Sequence, residues 1–190
     1  MDISHARKNA ERFHKTTLLL ASRVTGLSYD SFVSEPVVTL PVIVGDGQRL
    51  GIFYPGAKRD GDTDSITPYV VNGAFSLELN LKVLRYLETS AWPQGHELKE
   101  LYRKLTNTSQ DFLASAIEKV VAQSQIHRKI EAAIKQIMNI PFSWAIDSLI
   151  EHSSNAFVNW RYAFESYPGW FAGYNEIRNA IVGRMRQLEN

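Results

Sequence analysis

The chain has 190 residues, 44% of them apolar, and a net charge of +1 at neutral pH. That is long enough for one domain with a sizeable core, and too weakly charged for whole-chain attraction to nucleic acid or a membrane surface. Cysteine is absent, which excludes disulfides, thiolate catalysis and cysteine-based zinc sites and fits a reducing compartment. Met1-Asp2-Ile3-Ser4-His5 lacks the basic region and apolar run of a signal peptide, and no apolar run is long enough to span a bilayer, so a cytoplasmic protein is expected.

In chain order, residues 3–25 read as a helix. Ile3, Ala6, Ala10, Phe13, Thr17, Leu20 and Val24 recur in steps of three and four, and Gly26 suits the position after the last turn. Residues 27–67 change character. Pro36, Pro41 and Pro55 forbid a helix, Val42-Ile43-Val44 and Arg49 to Tyr54 read as short strands, and Gly45-Asp46-Gly47 is a turn signal. This section is expected to be a β-hairpin or irregular insertion between the first two helices. Asp60, Asp62 and Asp64 alternate like a calcium loop, yet the later Gly and terminal Glu are missing, so no calcium site is expected.

Pro68 to Leu105 organises the rest. Val70 to Glu88 reads as a long helix with two apolar rows, one of Val70, Ala74, Leu77, Leu81 and Leu84, the other of Val71, Phe75, Leu79, Val83 and Tyr86. A helix apolar on two sides is expected to be central. Between the rows runs a stripe of Glu78, Lys82 and Arg85, either a narrow solvated face or a partly buried polar network whose charges need partners. Trp92 to Gly95 reads as a turn, and His96 as the start of a helix with Leu98, Leu101, Tyr102 and Leu105 inward. Ser109 is the expected N-cap of the next helix. Residues 110–139 read as two helices with a break near Gln123-Ser124-Gln125. After Pro141 comes a helix carrying Ile146, Ile150, Phe157, Trp160 and Phe164, interruptible at Ser153-Ser154 and ended by Tyr167-Pro168-Gly169. The last helix puts Trp170, Tyr174, Ile177, Ile181, Met185 and Leu188 on one face. The whole is one domain, mainly α, an antiparallel helical bundle with its insertion at 27–67.

Three stretches in this order carry a resemblance: Asn72 to Lys82, with its acid and lysine one turn apart; Gly95-His96-Glu97-Leu98-Lys99-Glu100-Leu101; and Trp160-Arg161-Tyr162-Ala163-Phe164-Glu165. Together they resemble the HEPN superfamily of helical bundles over roughly 68–165. Many HEPN proteins are metal-independent ribonucleases of prokaryotic toxin–antitoxin and antiviral systems, using an Arg followed a few residues later by a His, paired with its copy across a dimer. The resemblance therefore implies a homodimer, RNA or a nucleotide as ligand, an antitoxin or defence-system protein as partner, and no cofactor. Here Ser166, Tyr167 and Pro168 stand where that His would follow Arg161. This departure favours a non-catalytic interaction or RNA/nucleotide-binding module over a ribonuclease.

The candidate site groups His96, Arg161 and Glu165 with Glu78, Lys82 and Arg85. In a ribonuclease, His96 would act as general base for a ribose 2′-hydroxyl and Arg161 would steady the phosphorane charge. In a structural reading the same groups satisfy one another inside the bundle. Arg7 and His14 fit the Arg/His spacing by number but lie in the first helix. Asp147, Glu151 and His152 have metal-ligand spacing without a fourth ligand, so no metal is expected. The late aromatic cluster from Phe157 to Tyr174 is either a base-stacking platform or core plus dimer surface.

Overall fold

The computed structural model describes residues 2–34, 42–45, 49–52, 61–138, 142–154 and 171–190. Its elements are α1 (Ile3–Thr25), α2 (Asp30–Ser34), β1 (Val42–Gly45), β2 (Arg49–Ile52), a 3-10 turn (Thr63–Ser65), α3 (Ile66–Thr89), α4 (Leu98–Arg103), α5 (Asn107–Gln123), α6 (Gln125–Met138), α7 (Ile146–Ser153) and α8 (Tyr174–Glu189). The fold is a mainly α helical bundle. β1 and β2 pair antiparallel, Val42 opposite Ile52 and Gly45 opposite Arg49. The turn at 46–48 and the Asp60 position lie outside the described residues.

α3 is the helix against which the others pack: α1, α4 and α8 all lie against it. Its row Val70, Ala74, Leu77, Leu81 and Leu84 is 0–2% exposed. Each of its large side chains contributes about 1.5–3 kcal/mol by leaving water. The second expected row is different. Val83 is fully buried, but Val71, Phe75, Leu79 and Tyr86 are only half-buried. Neighbours cover α3 fully along one line and only graze its flank, where Phe13 of α1 stacks on Phe75 at 5.2 Å. The helix starts one turn earlier than the sequence pattern predicts, at Ile66. Pro68 is tolerated there because a first-turn residue has no intrahelical N–H partner to lose. Asp62 fixes the entry, accepting from Ser65 Oγ at 2.6 Å and from the Asp64 N–H at 3.0 Å.

The ends of other elements follow local chemistry. Asp2 accepts from the Ser4 N–H at the start of α1, and Gly26 closes it at φ 64°. Thr106, not Ser109, caps α5, accepting from the Ser109 N–H. α4 starts at Leu98 with Glu97 as its N-cap, so His96 stands before the helix rather than opening it. Ser124 is the extended residue between α5 and α6, and its Oγ accepts from the His127 N–H at 3.3 Å.

Two glycines mark the closest approaches. A Cβ on Gly73 would lie 2.8 Å from the Phe171 ring, so its absence lets the fully buried Phe171 rest on α3. Gly173 precedes α8 at φ 70°, with Leu149 of α7 where a Cβ would be. Of the late aromatic cluster, Phe171 and Tyr174 are core residues, while Phe157, Trp160, Tyr162, Phe164, Tyr167 and Trp170 lie outside the described residues.

Truncation should separate the two sides of α3. Leu81→Ala, in the covered row, is expected to lose about 3 kcal/mol, and the half-buried Leu79→Ala about 1 kcal/mol. Equal shifts in urea-denaturation midpoint would contradict the one-sided burial.

Candidate functional site

The stripe on α3 is graded in exposure: the Glu78 side chain is 5% exposed, Lys82 12% and Arg85 28%. Glu78 Oε1 accepts from Lys82 Nζ at 2.8 Å and lies 2.9 Å from His96 Nδ1. Glu78 and Lys82 are one turn apart with the acid first, the favourable order. His96 reaches them from the segment between α3 and α4. That segment is pinned at several points: the Ser90 N–H donates to Tyr86 O at 2.7 Å, Trp92 stacks on Tyr86 at 4.8 Å, and Lys104 Nζ donates to Gln94 O at 2.8 Å. Gly95 turns the chain at φ 97°, which a side chain would strain.

This geometry fixes the tautomer of His96. A carboxylate beside an ammonium is acceptor-only, so Nδ1 carries a hydrogen and Nε2 is the nitrogen turned to solvent. The ring is 74% exposed, and no described residue bonds to Nε2. The result is a solvent-facing imidazole oriented from behind by a buried carboxylate, a group able to take a proton, give one, or meet a phosphate oxygen. Glu78 Oε2 is buried and has no partner among the described residues.

Arg85 does not join this cluster. It pairs with Glu88 at 3.3 Å, and Glu88 accepts from the Thr106 N–H at 3.1 Å and Thr106 Oγ1 at 2.6 Å, closing the start of α5 onto the end of α3. Burial pushes the Glu88 carboxyl up, but hydrogen bonds from Ser109 and Thr106 outweigh it and hold the group below its ordinary value. Arg161 and Glu165 lie outside the described residues.

The remaining sequence candidates are engaged in packing. Arg7 pairs with Glu189, and His14 Nδ1 lies 2.9 Å from the Tyr174 hydroxyl, so both tie α1 to α8. Glu151 pairs with Lys99, whose hydrogen bond draws its carboxyl below the usual range. Among the described residues no group of three or more His, Asp or Glu side chains is arranged to hold a metal, and no helix is long and apolar enough to cross a membrane.

A second polar centre was not singled out from the sequence. His127 of α6 and Glu176 of α8 are fully buried and face each other, Nε2 to Oε1, at 2.7 Å. The Trp144 and His127 rings pack edge to face, their centroids 4.4 Å apart. Two signals pointed to it: His127 heads the inward row Ile130 and Ile134, and Glu176 shares a face with Ala180 and Gly183.

No protein-family model, curated protein or solved structure matches the chain.

Two measurements test these assignments. Replacing Lys82 alone by Met leaves the Glu78 carboxylate inside with one partner fewer and should cost about 3 kcal/mol, whereas Glu78→Leu/Lys82→Met together should cost less than the single change. A double variant weaker than Lys82→Met would refute the paired burial. His14 predicts a pH dependence. Burial, then the Arg178 guanidinium, lower its pKa from 6.5 to about 4. Above pH 6.5 the ring is neutral folded or unfolded. As pH falls from 6.5 to 4 the unfolded chain takes up a proton that the folded one refuses, so stability drops, by about 2 kcal/mol after allowing for the ring's partial exposure. His14→Gln should flatten the profile in that window, measured as Tm against pH.

Proposed function

We propose that the chain is a HEPN-like binding module that engages RNA or a nucleotide through the surface around His96, as a homodimer, within a prokaryotic toxin–antitoxin or antiviral defence system. The observation that carries this reading is the exposed His96 ring held in one tautomer by Glu78, with Lys82 bonded to the same carboxylate oxygen. A protonated Nε2 would donate to a phosphate oxygen from a ring already oriented by Glu78, and pre-orientation lowers the entropy lost on binding. The mainly helical bundle and the three sequence stretches support the superfamily reading.

Binding is favoured over cleavage by what surrounds His96. A metal-independent ribonuclease needs a base, an acid and a charge-stabilising group around one phosphodiester. Among the described residues His96 is the single imidazole in the cluster, and the Lys82 ammonium is committed to Glu78. The alternative is a degenerate endoribonuclease with His96 as base and Arg161 and Glu165 completing the site. The specific feature that favours it is the carboxylate–imidazole pair itself, an arrangement suited to proton transfer.

Fluorescence anisotropy with labelled RNA oligonucleotides and with nucleotides, beside size-exclusion light scattering, tests the reading. His96→Ala is expected to weaken binding about tenfold; it also takes a partner from the buried Glu78 carboxylate and so lowers Tm, and affinities are compared at a temperature where both proteins are folded. Loss of affinity should be accompanied by a shallower salt dependence. Equal affinity in the variant would remove the assignment. Incubation with tRNA and total RNA decides between the two readings: cleavage that disappears in Arg161→Ala and His96→Ala supports the ribonuclease, and intact RNA supports the binding module.

A further inference from the structure

We propose that the outer face of α1 is a track for the phosphate backbone of a nucleic-acid strand, on a surface apart from the one around His96. α1 carries Arg7, Lys8, Arg12, Lys15 and Arg23 against a single acid, Glu11. That is a strong local excess in a chain whose net charge is only +1. Position on the helix sorts these residues. Arg7 and Glu11 lie on the edge next to α8, where Arg7 pairs with Glu189 and Glu11 with Arg178, so that edge is neutral. Lys8, Arg12 and Lys15 follow one another in steps of four and three, and Arg23 stands two turns beyond Lys15. All four therefore share the side of α1 opposite the buried row Ala6, Ala10, Thr17, Ala21 and Val24, turned away from α3 and its Glu78 and Lys82.

The charge on this face is exposed and uncompensated. Lys8, Arg12, Lys15 and Arg23 are all exposed, and none of them is in an ion pair among the described residues. Arg12 donates only to Asn9 Oδ1, at 3.3 Å and within α1. Cations on other helices behave differently: Lys82, Arg85, Lys99, Arg103 and Arg178 each hold a carboxylate. Arg23 feels the carboxylate of Asp62, so the excess is greatest over Lys8, Arg12 and Lys15. Like charges one turn apart repel and weaken a helix. A polyanion laid along the face would relieve that repulsion.

Spacing and burial select the polyanion. The helical rise sets Lys8, Arg12 and Lys15 about 6 and 4.5 Å apart along the axis, a straight row that a strand with closely spaced phosphates can meet at successive contacts. A membrane surface fits less well. An interfacial helix inserts an apolar face between lipids, and the apolar face of α1 is already buried in the bundle. Leu19, 53% exposed, is the one large apolar side chain left among these cations. Contacts of this kind hold the backbone and carry no base preference.

The test is fluorescence anisotropy of the full chain with a labelled single-stranded RNA of mixed sequence, repeated at increasing KCl. Lys8→Gln/Arg12→Gln/Lys15→Gln is expected to weaken binding about tenfold or more. It should also flatten the slope of log affinity against log salt by about 2, at about 0.7 for each lost phosphate contact. Lys119→Gln/Lys129→Gln/Lys135→Gln removes the same charge from exposed positions on α5 and α6 and should leave affinity within about twofold of the wild type. Equal loss in the two variants, wild-type binding by the α1 variant, or no RNA binding by the wild type would each overturn the proposal. So would sedimentation of the wild type with phosphatidylserine vesicles in the absence of RNA binding, which would assign the face to a membrane. His96→Ala keeps the two surfaces distinct: loss in the α1 variant with binding kept in His96→Ala sustains the track and removes the His96 site, and the reverse pattern overturns the track and leaves the His96 site standing. Should the triple variant not fold, Arg12→Gln decides alone, with a slope change of about 0.7 expected and an unchanged slope overturning the track.

Discussion

The structure depends on the burial of α3 along a single line, Val70 to Leu84, by α1, α4 and α8. Covering that line draws the helix's charged flank to the edge of the interior. Glu78 then falls too deep to be hydrated. Its solution is local: an ammonium one turn away and an imidazole delivered by the segment that leads into α4. The site around His96 is thus a by-product of how the core is covered, and its orientation comes from the same packing that makes the bundle stable.

The two carboxylate–histidine pairs answer different problems. Glu78 lies below the surface and holds a ring that reaches out of it, so the pair exports a defined tautomer to solvent. Glu176 and His127 are both sealed, their side chains closed to solvent. A charge placed that deep costs free energy unless it is fully bonded, and it is bonded on one side. The first pair presents an exposed imidazole; the second leaves one carboxylate oxygen buried without a partner among the described residues.

Much of this was legible from residue order, and the limits have physical causes. The row Val70, Ala74, Leu77, Leu81 and Leu84 was readable because a helix covered along one line must be apolar there. The row through Phe75 and Leu79 misled because a large half-buried side chain looks the same in sequence as a core one. The end of the α3 stripe also misled: Arg85 belongs by spacing with Lys82, but the start of α5 offers Glu88 a use, and Arg85 follows it. Capping by Thr106 rather than Ser109 turned on one turn of backbone, since both are good caps. His127 and Glu176, far apart in the chain, could be matched only once the helices had been placed. Each nonetheless stood in an apolar row where a polar residue asks for a partner.

Ser124 alone separates α5 from α6, and the angular phase of everything after it is set there. Insertion or deletion of one residue at that point would rotate α6 by about 100° about its axis. The imidazole at 127 would swing away from α8 and Ile130 would leave the interior with it. Length variation among descendants of this chain should therefore be selected against at this one-residue joint.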